Sequence, residues 1–152
     1  AFSAKNSPPT VEFFRGMCYN FSMAKFNEVM ERERAKKLSP VVLAFVGDAA
    51  YSLYVREGLV LSSDHKTGAL QRLSSARVSA KGQAALFSEM EEKLTEEERE
   101  IFLRGRNAKK PTRSKNASVA EYNVSTGFEA VIGFLYLSGD YQRIDELLAD
   151  RS

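Results

Sequence analysis

VVLAFVGDAAYSLYV, residues 41 to 55, carries one charge, Asp48, in a run otherwise built of apolar and small residues. A second stretch repeats the pattern: GFEAVIGFLYL, residues 127 to 137, has Glu129 as its only charge. Helices that are apolar on almost every side are usually central in a fold. An ionised carboxylate there is costly unless it is paired or binds a cation. Each stretch also holds an interior glycine, Gly47 and Gly133. Such a glycine costs about 1 kcal/mol relative to alanine and is tolerated where helices approach closely. A single buried acid has a plain reading, a hydrogen bond from a helix end or a pairing with an arginine. Two of them on two central helices point to a shared cation. Hard oxygen ligands from one or two carboxylates, completed by water and phosphate, are what Mg²⁺ prefers.

Working outward, the rest of the chain also reads as helical. Met23 to Lys37 is rich in Ala, Glu, Arg and Lys. Ser39-Pro40 is an N-cap followed by proline at the first helical position. The helix it opens is expected to run to about Glu57, with Gly58 as its stop. Leu59 to Lys66 reads as a loop. Helical patterning resumes near Thr67 and is expected to break once before Val78 to Lys93. Thr95 with Glu98, and Ser118 with Glu121, fit capping boxes. The first box opens a helix ending near Gly105 to Asn107, and the second opens a short helix ahead of Ser125 to Leu137. Ser138-Gly139 ends that helix, and Asp140 caps a last one to about Asp150. No segment alternates with period two, and no Asn-Gly hairpin turn lies between apolar runs. The expected fold is all-α, about seven helices around one core. Residues 1 to 22, broken by Ser7-Pro8-Pro9, are set apart as an irregular N-terminal extension to a domain spanning 23 to 152.

The 152 residues are 43% hydrophobic and 28% charged, enough for one domain with a real core. Cys18 is the only cysteine, so no internal disulfide forms and a reducing cytoplasm is the natural setting. No apolar run reaches the roughly 18 residues that a membrane span needs. His65, the only histidine, falls in an expected loop. A histidine-rich metal centre is excluded. There is no P-loop, no Gly-rich dinucleotide motif and no Cys/His cluster for zinc.

Net charge is only +2, but it is unevenly spread. Glu89 to Glu100 holds seven glutamates against Lys93 and Arg99, whereas Arg104 to Lys115 holds six basic residues and no acid. Bases at a helix C-terminus complement its dipole, which accounts for about two of the six. The others repel one another unless an anion is near, and RNA phosphates are the obvious candidate. Arg104, Arg106, Asn107, Lys109 and Lys115 are therefore candidate RNA or DNA contacts, against the plainer reading of a solvated loop. Lys81, four residues from Arg77 on one helix face, extends the surface, as does Arg72.

Taken together these residues resemble the ribonuclease III family. AFVGDAAYSLYVR, 44 to 56, resembles its first carboxylate helix, and FEAVIGFLYL, 128 to 137, its second. RVSAKGQA, 77 to 84, and LRGRNAK, 103 to 109, resemble the Mini-III subfamily. The four motifs stand in order from Leu38 to about Leu148. The resemblance implies an all-helical endonuclease domain acting on double-stranded RNA, without the usual double-stranded-RNA-binding domain. It implies that Asp48 and Glu129 hold Mg²⁺, or Mn²⁺ in its place. It also implies a homodimer, with two sites in a shared valley. The dimer contact is expected on the apolar helix around Val42, Phe45, Ala49 and Leu53. The substrate implied is precursor ribosomal RNA of the large subunit, and a large-subunit ribosomal protein is a further candidate partner.

Three positions depart from the larger family. Ala44 and Val41 stand where full-length members carry acids, and Thr126 stands in place of an aspartate. Mini-III proteins share this reduced set. It suggests a metal with more water ligands, and Thr126 is a candidate to hold one of those waters. Gln71 stands where subfamily members often have histidine. The competing reading is a non-catalytic helical module that docks on structured RNA or pre-ribosomes. Both acids on apolar helices speak against it, since a pure binder has no need of them.

Overall fold

The computed structural model describes residues 25, 26, 28–109 and 117–149. Seven α-helices lie among them: α1 Arg32–Lys36, α2 Pro40–Ser62, α3 Thr67–Val78, α4 Ala80–Met90, α5 Glu96–Arg106, α6 Val119–Leu137 and α7 Tyr141–Leu148, with a 3-10 turn at Glu91–Lys93. The described residues contain no strand. The all-α reading holds. No helix among them is long and apolar enough to cross a membrane.

The core is organised around α6. Ser125–Phe128 and Ala130–Leu135 are buried, and α1, α2, α4, α5 and α7 all pack on this helix. Phe87 of α4 stacks on Phe102 of α5 with ring centroids 3.9 Å apart, and Tyr51 of α2 meets Phe128 edge-on at 4.9 Å. Fully burying a phenylalanine contributes about 1.5–3 kcal/mol, so Phe128 and Phe134, both fully buried, anchor the bundle.

Several boundaries differ from expectation. Within Met23 to Lys37, the described residues are helical only from Arg32. The preceding backbone runs along the end of α6 instead: Met30 N–H donates to Leu137 O at 2.7 Å, and the Val29 side chain packs at Gly139. Among the described residues Gly139 is the one glycine with positive φ, +73°, and lets the chain turn out of α6. Gly58 does not stop α2, which continues to Ser62. Ser79 makes the break between α3 and α4, one residue after Val78: its hydroxyl accepts from Gly82 N at 3.0 Å and donates to Ala76 O at 2.8 Å. Both capping boxes form. The second opens the whole of α6 rather than a separate short helix. Asp140 makes no side-chain cap on α7 and takes a bond from Arg32 instead.

Arg32 is a fastening that sequence reading passed over. It bonds Glu97 at 2.6 and 3.0 Å and Asp140 at 3.3 Å, and its guanidinium lies 4.7 Å from the Phe134 ring centre. The other is Arg143 of α7, which bonds Glu98 at 2.9 and 3.0 Å and Lys93 O at 2.6 Å. Glu98 is 1% exposed. Burial pushes its carboxyl up, but bonds from Arg143 and Thr95 outweigh that and hold it below the usual carboxylate range.

Candidate active site

Asp48 and Glu129 lie at a crossing where α2 and α6 touch backbone to backbone. A methyl group on Gly47 would stand 2.7 Å from the Glu129 carbonyl carbon and 2.8 Å from the Gly133 nitrogen. Asp48 is the next residue of α2, so the two acidic positions occupy neighbouring turns of crossing helices. The glycines inferred to permit close approach do so here.

The depth of the acids is corrected. Asp48 is exposed and Glu129 half-buried, rather than both being buried. The reason is that α2 covers the core with only half of its circumference. Leu43, Ala44, Gly47, Tyr51, Val55 and Leu59 form its buried side. Val42, Phe45, Ala49, Leu53 and Val60 line the opposite side and are exposed, Phe45 by 81%. All four residues expected at a dimer contact fall on this open apolar face. Asp48 stands beside it.

Among the described residues no group of three or more His, Cys, Asp or Glu could hold a metal. The donor set at the crossing is two carboxylates, one facing solvent. That leaves most positions of a divalent cation to water and substrate oxygen, which suits Mg²⁺. Thr126, the candidate to hold a metal-bound water, is 6% exposed and its hydroxyl donates to Tyr122 O at 2.9 Å. Gln71 is exposed on α3, as are Arg72 and Arg77, and His65 is exposed between α2 and α3.

The basic residues divide in two. Arg106, Asn107 and Lys109 are exposed at and beyond the end of α5. Arg106 Nε donates to Asn107 Oδ1 at 3.3 Å. Lys81 is exposed in the first turn of α4, and close enough to the start of α6 to act on Glu121. The Glu121 carboxyl is held below its ordinary range chiefly by the Ser118 N–H and hydroxyl, with Lys81 adding to the effect. Arg104 points the other way. It is half-buried and donates to Lys36 O at 2.8 Å and Leu38 O at 2.9 Å, fastening the chain between α1 and α2. Lys115, with Lys110 and Arg113, lies outside the described residues.

Residues 41–140 match the model of the Ribonuclease III domain. The chain is 46% identical over 115 residues to a Mini-ribonuclease 3 of Enterococcus faecalis, covering 74% of this chain and 87% of that protein. It is 41% identical over 121 residues to a Mini-ribonuclease 3 of Thermoanaerobacter, covering 80% and 85%. A crystal structure of a Fusobacterium nucleatum protein superposes with a TM-score of 0.67 at 30% identity, covering 78% of this chain and 93% of that one. The fold, the glycine crossing with its two acids and these likenesses agree: the chain belongs to the ribonuclease III family, with the Mini-ribonuclease 3 proteins, and is an endoribonuclease.

Proposed function

We propose that this endoribonuclease cleaves double-stranded RNA in a Mg²⁺-dependent reaction as a homodimer, and that Asp48 and Glu129 are its metal-holding acids. The observation that carries the reading is the crossing of α2 and α6, which sets an exposed and a half-buried carboxylate on adjoining turns. Mn²⁺ offers the same preference for oxygen donors and is expected to substitute. The cation, when bound, offsets charge on the scissile phosphodiester. Asp48 and Glu129 bind it and orient it toward the strand. Hydrolysis adds water across the P–O3′ bond and leaves 5′-phosphate and 3′-hydroxyl ends.

Lys81, Arg106, Asn107, Lys109 and Lys115 are the proposed grip on the backbone, reading phosphates and 2′-hydroxyls rather than base edges. Arg104 is left out of that set because its guanidinium is held by two backbone carbonyls. The open face of α2, with Val42, Phe45, Ala49 and Leu53, is the proposed dimer contact. A contiguous apolar stripe of this kind marks an interaction surface, and sedimentation as a monomer would count against it. The substrate proposed is precursor ribosomal RNA of the large subunit, in the cytoplasm, with a large-subunit ribosomal protein as candidate helper.

The test is incubation with end-labelled double-stranded RNA, with Mg²⁺ and with EDTA, beside Asp48→Asn. Cutting that needs Mg²⁺ and vanishes in the variant supports the reading. Salt-sensitive binding without cutting would reject it.

A further inference from the structure

We infer that Gly47 and Gly133 are positioning residues for the acid pair: their bare backbones set the separation of Asp48 and Glu129, and with it the fit of the cation. This rests on the reading of those acids as a metal pair.

What a side chain on either glycine would meet is backbone alone. On Gly47 it is the carbonyl group of Glu129 itself and the nitrogen of Gly133. On Gly133 it is the Leu43 carbonyl carbon at 2.8 Å and the Gly47 nitrogen at 3.0 Å. Mid-helix backbone cannot swing aside as a side chain does. A methyl group at Gly47 therefore forces α2 and α6 apart by more than about 1 Å before ordinary contact distances return. The atoms touched belong to the residue that carries one acid, and Gly47 immediately precedes the other. The separation is transmitted to the carboxylates with no side chain between.

The crossing of α5 on α6 supplies an internal control. A methyl group on Gly105 would meet the Gly127 Cα at 2.9 Å, and the Ala130 Cβ and Thr126 O at 3.0 Å. That contact is also tight and also presses on α6, but it does not involve α2. Both glycines cost their helices about 1 kcal/mol of propensity. Only the one at the α2 crossing is expected to govern the metal. Mg²⁺ demands near-octahedral oxygens at about 2.0–2.1 Å, so a shift of about 1 Å in one ligand is not absorbed.

The experiment measures Mn²⁺ binding to the whole chain without RNA, by the loss of the free-ion EPR signal. The wild type is expected to bind Mn²⁺, and Asp48→Asn to abolish it. Gly47→Ala is expected to weaken binding by about tenfold or more. Gly105→Ala should stay within about twofold of wild type, on the same scale, even though it too lowers the melting temperature. Gly47→Ala with Asp48→Glu, one methylene longer, should recover part of the loss. If Gly47→Ala does not fold by circular dichroism, Asp48→Glu alone decides. Its site is exposed, and at a fixed crossing the longer acid should weaken Mn²⁺ by about tenfold. Wild-type affinity in that variant, or equal losses in Gly47→Ala and Gly105→Ala, overturns the inference. Asp48→Asn binding Mn²⁺ as well as wild type overturns the metal pair itself, and the positioning role with it.

Discussion

Glu98 and Asp48 are both acids on helices that pack against α6, and their surroundings are opposite. Glu98 is 1% exposed, doubly bonded by Arg143, and closes the capping box with Thr95. Asp48 is exposed, and among the described residues no hydrogen bond or ion pair holds its side chain. The buried acid is answered from within and serves the fold. The open acid is the one proposed to take a cation from outside. Burial of a carboxylate marks a clasp in Glu98, and the proposed metal acid Asp48 is exposed beside an apolar face.

The sharpest way to break this contrast is to remove each charge in turn. Asp48→Asn should lower cleavage by about a thousandfold, the loss of several kcal/mol of charge stabilisation, while urea unfolding stays at the wild-type midpoint. Glu98→Ala should do the reverse. It leaves Arg143 without its buried partner and costs about 3 kcal/mol of stability, with cleavage per folded molecule unchanged. A large stability loss in Asp48→Asn, or none in Glu98→Ala, would erase the distinction.

A pH series sharpens it. The Glu98 carboxyl titrates lower in the folded chain than in the unfolded one. Its contribution is therefore present above the unfolded value of about 4.3 and is lost as pH falls through the folded value. Melting temperature should drop more steeply for wild type than for Glu98→Gln below about pH 4.3. Parallel curves would deny Glu98 that role.

The smallest expected effects separate two neighbouring arginines. Arg104→Ala removes bonds to two carbonyls and should cost about 1–2 kcal/mol of stability. Arg106→Ala should leave stability alone, weaken double-stranded RNA binding, and reduce its salt slope by about one. Swapped outcomes would return Arg104 to the RNA surface.

The local features were legible in the sequence. Both capping boxes, the Pro40 start (where the Ser39 side chain makes no capping bond) and the Ser138-Gly139 stop follow from chemistry within four residues of each position. The two acidic positions stood out as well, since each is the lone charge of its apolar stretch, 41 to 55 and 127 to 137. What could not be read was which half of α2 is covered. A helix apolar all round has no period that points to the core, and the depth of Asp48 was misjudged for that reason. The basic tract hid a second distinction. Composition treats Arg104 and Arg106 alike, but two positions along a helix turn a side chain by about 200°, and only one of them faces α1. Arg32 and Arg143 were missed because their partners lie 65 and 45 residues away.

That α6 is one unbroken rod, rather than two pieces, makes it a ruler. Glu121, near Lys81, and Glu129 are eight residues apart on the same helix, about 12 Å along its axis. Glu121, which Lys81 approaches, and the proposed metal acid Glu129 are thus held in fixed phase as well as at fixed distance. One residue inserted between them would turn Glu121 by about 100° around the axis relative to Glu129 and lengthen the span by only about 1.5 Å. On the proposed roles of Lys81 and Glu129, where this enzyme cuts is an angular question more than a linear one.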